Sequence, residues 1–333
     1  MKITLDEIAR LAGVSKATVS RVLNNSADGV GEETRRRVQK VADDLHYSVN
    51  SDNRKNGASY ARYLALILPD ITNPFFADLA KAVEVSARRY GYSLIITNTD
   101  FSEENEASQI RELVIKKLDG IILVPSGMKV RQEHFLPEKW GIPLVLMDRK
   151  LEGGCSYPGV YSNNEYASVI SCEFLINNGS RDIVFISGPL NVSTSIERFE
   201  GYKAVLQQYN IPFRQELVRH GNYTVESGYN AVVELERNGV KYSAILAAND
   251  MMALGALKAV RELGYKVPDA VQIVGFDNIE FSQYCEPPLS TVQQPTCEMG
   301  AKAVKLLVDL IEKKPVAAME RLIPKLLMRK TTK

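Results

Sequence analysis

The sequence predicts a small all-α helix-turn-helix headpiece followed by an α/β body made of two doubly wound parallel-sheet lobes. Three observations carry this. The first 45 residues hold three short amphipathic stretches and no strand pattern. From Tyr63 onward, apolar strand-like runs alternate with helical patterns in two successive series. Residues 1–62 carry 11 Lys and Arg against 8 Asp and Glu, while the whole chain has a formal charge of only +1. The basic excess sits at one end, so the two ends are expected to have different partners.

The headpiece elements follow in order. Thr4-Leu-Asp-Glu7 is a capping box that opens the first helix. Leu5, Ile8, Ala9 and Ala12 recur on one face of it. Gly13 suits a sharp turn. Ser15 can cap a second helix over Lys16–Leu23, with Val19, Val22 and Leu23 inward and Lys16, Ala17, Ser20 and Arg21 on the other side. A third helix, Glu32–Leu45, buries Val38, Val41, Ala42 and Leu45. Two short helices about a glycine turn make a helix-turn-helix, and small, polar and cationic residues near a helix N-terminus suit entry into a major groove. A plain three-helix bundle with a solvated polar face has the same pattern.

The body gives strands at Tyr63–Leu68, Ser93–Thr97, Gly120–Val124, Pro143–Met147 and Gly159–Tyr161, then Asp182–Ile186, Val218–His220, Ala244–Ala247 and Gln272–Gly275. Helices are expected at Ala77–Tyr90, Glu104–Lys117, Glu165–Asn177, Arg198–Gln208, Val225–Asn238, Asp250–Leu263 and Glu298–Lys313. Such alternation implies parallel sheets covered on both faces, with ligands taken at the carboxyl ends of strands. Between two lobes, the cleft is the default site.

Other classes are disfavoured. The near-neutral total argues against a histone-like or polybasic membrane protein. The first residues contain Asp6 and Glu7 and no apolar core of a signal peptide. No apolar run has the length of a membrane span. Cys155, Cys172, Cys285 and Cys297 are scattered, which reads as buried free thiols in a reducing cytoplasm rather than a zinc or disulfide framework. No nucleophile elbow, phosphate loop, HExxH or dinucleotide fingerprint is present, so no catalytic residue, metal or cofactor is expected.

The stretch Thr4-Leu-Asp-Glu-Ile-Ala-Arg-Leu-Ala-Gly-Val-Ser-Lys-Ala-Thr-Val-Ser-Arg-Val-Leu-Asn24, continued by Glu32-Glu-Thr-Arg-Arg-Arg-Val38 and Leu45-His-Tyr47, closely resembles the headpiece of the lac repressor/galactose repressor family of bacterial regulators. The resemblance extends over the whole chain. It implies that Lys16 and Ala17 read bases, and that Thr4, Ser15, Thr18, Ser20, Arg21 and Asn24 contact phosphates or further base edges. The run Arg35–Arg37 reads as a solvated, steering face.

The linker departs from the family pattern, Tyr-x-Pro-Asn-x-x-Ala-Arg-x-Leu. Here Tyr47-Ser-Val-Asn50-Ser-Asp-Asn53-Arg54-Lys-Asn56 keeps only Asn50 and Arg54 as the remaining DNA-contacting candidates. Val49 replaces the Pro, Asn53 the Ala and Asn56 the Leu that wedges into the minor groove. A polar Asn cannot act as an apolar wedge, and Asn56-Gly57 reads as a turn. Residues 48–60 are therefore expected to be a flexible linker in the absence of DNA.

The body also resembles periplasmic sugar-binding proteins. Pro69-Asp-Ile-Thr-Asn-Pro-Phe-Phe76, Asn98-Thr-Asp100, Arg198-Phe-Glu-Gly-Tyr202, Ala248-Asn-Asp250, Val274-Gly-Phe-Asp277 and Leu289-Ser-Thr-Val-Gln-Gln294 carry the likeness. It implies an effector pocket lined by Asn73, Phe75, Phe76, Asp100, Arg149, Arg198, Tyr223, Asn249, Asp277 and Gln294. Rings stack on sugar faces, Asp accepts from paired hydroxyls, Arg donates as a fork, and Asn and Gln do both. Phe75 and Phe76 can equally be core, Asp100 a turn residue, and Arg149 half of an ion pair. Asp250 is expected to cap the helix that follows it.

The resulting expectation is a headpiece over 1–47, a linker over 48–61 and an effector-binding body over 62–333. Its N-lobe takes about 62–162 and 293–322, its C-lobe about 163–292 and 323–333. The resemblance implies a cytoplasmic, homodimeric repressor of carbohydrate genes on a pseudo-palindromic double-stranded operator, with a sugar or sugar derivative as effector and no membrane partner. A sugar acid or a nucleoside is the alternative effector, and a transport-type binding protein the distant alternative function.

Overall fold

The computed structural model describes residues 5–23, 30–44, 62–116, 118–152 and 157–333. Two compact units emerge, residues 1–61 and 62–333. Thr4, Asn24, Leu45, Val49, Asn50, Asn53, Arg54, Asn56 and Cys155 lie outside the described residues.

In the first unit, α1 (Leu5–Ala12), α2 (Lys16–Leu23) and α3 (Glu32–Asp44) pack around Ile8, Ala9, Ala12, Val19, Val22, Val38 and Ala42. Gly13 bends the chain at φ +63°, a conformation that favours glycine, and the Val14 amide closes the turn on the Ala9 carbonyl at 3.0 Å. Ser15 Oγ accepts from the Thr18 amide at 3.1 Å, which caps α2.

The body begins with β1 (Arg62–Leu68), α4 (Pro74–Arg89), β2 (Tyr92–Asn98), α5 (Glu103–Ile115), β3 (Gly120–Leu123), the single turn α6 (Leu136–Lys139), β4 (Leu144–Met147) and β5 (Gly159–Ser162). It continues with α7 (Asn164–Asn177), β6 (Ile183–Ser187), α8 (Ser193–Gln208), β7 (Val218–His220), α9 (Val225–Arg237), β8 (Ala244–Ala247), α10 (Asp250–Glu262) and β9 (Gln272–Asp277). β10 (Ser290–Gln293), α11 (Thr296–Ile311), β11 (Met319–Leu322) and β12 (Lys325–Leu327) complete it.

One sheet has the order β11-β5-β4-β3-β1-β2 and is parallel throughout; the other runs β12-β10-β9-β8-β6-β7, with only β12 antiparallel. Central strands such as β3, β4, β6 and β8 are buried at every residue, as sheets covered on both faces require. The chain passes between the lobes after β5, after β10 and between β11 and β12. Helix α11 follows a C-lobe strand and packs in the N-lobe core beside α4.

Several expectations are corrected. α4 starts at Pro74 rather than Ala77, because Asn73 caps it by accepting from the Phe75 amide at 3.1 Å and Pro74 suits the first turn. α8 starts at Ser193, so Arg198 lies inside the helix rather than at its start. Asp250 does not cap α10; Asn249 does, accepting from the Met252 amide at 2.9 Å. Asp250 is fully buried and accepts instead from Thr291 Oγ1 and from the Ile279 amide at 2.9 Å, tying α10 to the segments after β9 and within β10. Of the cysteines expected to be buried, Cys172 is, with burial pushing its thiol up to about 12, while Cys285 is half-buried and Cys297 exposed. Strands β10, β11 and β12 have no counterpart in the sequence reading. They are three or four residues long, and the last two are only partly buried.

Candidate functional site

The carboxyl ends of the strands in both lobes converge on one cleft, and the backbone there is unusual. Asp100, Phe101, Asp148, Tyr223, Asp277 and Asn278 all have positive φ, from 53° to 111°, and each sits at or just beyond a strand end. Such conformations cost of the order of 1 kcal/mol each and persist where the surroundings over-determine them. Asp148 and Tyr223 lie buried in the space where the two lobes face each other, whereas Asp100 is exposed.

Arg149 is buried within this space. Its guanidinium carbon lies 5.3 Å from the Phe76 ring centroid, 5.5 Å from Phe101 and 6.0 Å from Tyr223, the last across the cleft. Nη1 donates to the Pro125 carbonyl at 3.1 Å, but Nε has no hydrogen-bond partner. The adjacent Asp148, also buried, approaches that Nε only to 3.7 Å, and its Oδ1 is unpartnered. Burial pushes the Asp148 carboxyl up and the Arg149 guanidinium down from their ordinary values.

The C-lobe supplies Arg198, which donates from Nε to Asn164 Oδ1 at 2.9 Å and from Nη1 to the Ala248 carbonyl. Its guanidinium stacks on Phe276, 3.5 Å from the ring centroid. Asp277 accepts from Gln294 Nε2 at 2.9 Å. Burial raises its carboxyl to about 7, against the opposing pull of Arg198 and of the Gln294 hydrogen bond. Gln294 Oε1 is buried and unpartnered. Tyr223 closes the side wall: its hydroxyl lies 2.6 Å from Ser195 Oγ and its carbonyl accepts from Asn249 Nδ2 at 3.0 Å. Gly188 lets that ring approach, since a Cβ there would fall 2.2 Å from Tyr223 Cζ.

The structure therefore brings Phe76, Arg149, Arg198, Tyr223, Asp277 and Gln294 together. The side chains of Asn73 and Asn249 are already used in helix caps, and Asn249 also donates to the Tyr223 carbonyl. Phe75 and Phe76 both belong to the N-lobe core, with ring centroids 5.1 Å apart, and Arg149 lies over Phe76 but not over Phe75. Asp100 faces solvent and accepts from the Asn98 side chain. Sequence reasoning missed Asp148, Phe101 and Asn164. The usable signal for Asp148 was its position beyond an apolar strand, in the same setting as Asp100 and Asp277.

On α2, Lys16, Ala17 and Arg21 are exposed, while Thr18 and Ser20 are half-buried. Lys16 Nζ pairs with Asp6 Oδ2 at 2.8 Å, with both side chains mostly exposed. Ser15 Oγ and Thr18 Oγ1 lie 2.9 Å apart at the helix start. On α3, Arg36 reaches Glu32 at 3.9 Å, an exposed pair worth little. Among the described residues no helix is long and apolar enough to cross a membrane, and no cluster of His, Cys, Asp and Glu is placed to hold a metal.

Comparison with known proteins agrees at both ends of the chain. Residues 4–50 match the profile of bacterial regulatory proteins of the lacI family, and residues 172–332 that of the periplasmic binding protein-like domain. The ribose operon repressor of Halalkalibacterium halodurans is 35% identical over 331 residues, covering 99% of this chain and 97% of that protein. The lac repressor dimer bound to operator and the anti-inducer ONPF superposes with a TM-score of 0.81 at 25% identity, covering 100% of this chain and 99% of that one. The transcriptional regulator CelR–cellobiose complex gives 0.75 at 29% identity, over 99% and 100% of the two chains. A helix-turn-helix joined to a two-lobed binding body defines a transcription regulator, not an enzyme. The chain belongs to the lacI family of bacterial regulatory proteins.

Proposed function

We propose that this regulator is a homodimeric, cytoplasmic repressor that releases its operator when a small neutral sugar, D-ribose in the first instance, binds between its lobes. One observation carries the reading. Asp148 Oδ1, Arg149 Nε and Gln294 Oε1 are buried without partners at the cleft, beside the rings of Phe76, Phe101 and Tyr223. Leaving a buried polar group unpaired costs about 1–3 kcal/mol, so a ligand that donates to two acceptors and accepts from one donor recovers that cost. A sugar has those hydroxyls, and its apolar faces fit against rings. Ribose is favoured over other sugars because the 35% identical relative is named a ribose operon repressor.

Arg198, Asp277 and Gln294 would fix the hydroxyls from the C-lobe side; Asp148 and Arg149 from the N-lobe side. Lys16 and Ala17 would read operator bases, with Ser15, Thr18, Ser20 and Arg21 on the backbone. The dimer follows the lac repressor dimer bound to operator, and two-fold symmetry matches two half-sites. The chain's DNA target lies in the cytoplasm, which sets its location. Sugar binding and operator binding oppose each other by the same factor in both directions.

A thermal-shift panel of D-ribose, gluconate and adenosine, followed by an operator titration with each hit, tests this. Ribose is expected to raise the midpoint and weaken operator binding. A hit that leaves operator affinity unchanged defeats the repressor mechanism. A second reading, an acidic sugar, is favoured by Arg149 and Arg198, since among the described residues no carboxylate hydrogen-bonds to either, Asp148 coming only to 3.7 Å from Arg149. It wins if gluconate binds and ribose does not.

A further inference from the structure

Glu197 precedes Arg198 on α8 and is half-buried at the lip of the cleft. Its two carboxylate oxygens face different lobes. Oε2 accepts from Asn164 Nδ2 at 3.2 Å, and Asn164 in turn holds Arg198 Nε through its Oδ1 at 2.9 Å. Oε1 takes the Lys150 ammonium, on the residue next to Arg149. The Lys150 amide also crosses to the C-lobe, donating to Ser193 Oγ at 2.9 Å. A single side chain thus connects the segment carrying one cleft guanidinium with the residue that orients the other. Asn164 is fully buried at the first crossing between the lobes, so this link runs beside the hinge rather than over an open surface.

We propose that Glu197 is a positioning residue for the effector site: it holds Arg149 and Arg198 in mutual register across the cleft and favours the closed arrangement of the lobes. It acts through Asn164 and Lys150, not by contact with the sugar. The inference rests on the reading of the cleft as the effector site. The energetic reason is that a ligand binding both lobes gains only from closed molecules, so any contact present only when the lobes meet raises its apparent affinity. A partly exposed ion pair alone is worth little, but a carboxylate shared by two partners fixes two side chains at once.

Two measurements on the full chain decide it. Calorimetric titration with D-ribose compares wild type, Glu197→Gln, Lys150→Met and the double variant. Each single change is expected to weaken binding about 5- to 20-fold, and the double variant no further than the worse single, because both remove the same link. Hydrogen–deuterium exchange without ligand compares the peptides over 148–152 and 191–195. They are expected to exchange faster in both variants while the thermal midpoint stays within about 2 °C of wild type. Losses that multiply in the double variant, or exchange rates that do not change, overturn the proposal. If Glu197→Gln fails to fold, Lys150→Met, which leaves Glu197 in place, decides alone. If wild type gives no heat with ribose, the ribose reading fails, and the exchange comparison still decides the role of Glu197.

Discussion

Gln294 Nε2 donates to Asp277 Oδ1 at 2.9 Å, while Gln294 Oε1 stays buried without a partner. The contact joins the end of β9 to the residue at which the chain leaves the C-lobe for α11. An acidic group is thereby set beside the second crossing between the lobes. Asp277 is raised to about 7 by burial. A hydroxyl donating to it stabilises its ionised form, so binding should release a proton.

The first prediction is proton-linked binding. Sugar affinity should fall as pH drops from 8 to 6, through the raised Asp277 value. Calorimetry in two buffers of different ionisation enthalpy should detect release of up to about half a proton per site at pH 7, more at lower pH. The variant D277N should bind about 10- to 100-fold more weakly at pH 8 and lose the linkage. An affinity flat over this range would remove Asp277 from the site.

The same group has the opposite effect on the ligand-free fold. Its folded value lies above the ordinary 3.8, so its stabilising contribution is complete below about pH 4 and is lost as pH rises through 7. D277N should therefore melt higher than wild type at pH 8, by about 2 °C or more, and gain nothing at pH 4. Thermal scans at the two pH values check the sign.

Arg149 should couple stability to response. It is buried, its Nε has no hydrogen bond and burial disfavours its charge, but the buried Asp148 carboxylate lies 3.7 Å from that Nε. Removing one partner of a buried charge pair leaves the other uncompensated and is destabilising. R149M is expected to lower the melting temperature of the free protein and to abolish both sugar binding and release of the operator. Ribose-dependent dissociation of the R149M–operator complex in a gel-shift titration would show that Arg149 is packing alone.

The headpiece prediction concerns Lys16. It pairs with Asp6 across two exposed side chains, a contact easily exchanged for DNA. K16A should weaken a selected operator by about 1–3 kcal/mol and relax sequence preference, whereas R36A should leave preference unchanged. Anisotropy titrations at several salt concentrations separate the two, because loss of a phosphate contact lowers the salt slope by about 1. Equal losses on operator and random DNA for K16A would move Lys16 to the backbone-contacting set.

The linker supplies the last test. Asn56 stands where the family pattern has an intercalating Leu. N56L should restore an apolar wedge, raise operator affinity and increase the bend read from gel mobility. Unchanged affinity and bend would make the departure at Asn56 irrelevant.

By itself the sequence determined the headpiece and most of the body. Hydrophobic spacing located α2 at Lys16–Leu23 and β8 at Ala244–Ala247 with the bounds observed, because period and burial are local properties of a chain segment. The resemblance to periplasmic sugar-binding proteins also marked Arg198 and Asp277 as candidates for the cleft. Only tertiary structure decided how these candidates divide. Phe75 and Phe76 both pack in the N-lobe core, with Phe76 beneath the Arg149 guanidinium, Asn249 rather than Asp250 caps α10, and Asp100 stays in solvent. Those outcomes depend on which strand end faces which, and on backbone conformations at φ above zero that tertiary packing imposes. The short strands β10, β11 and β12 follow the same rule. Their residues carry little pattern of their own, and they become strands because a neighbouring edge offers hydrogen bonds.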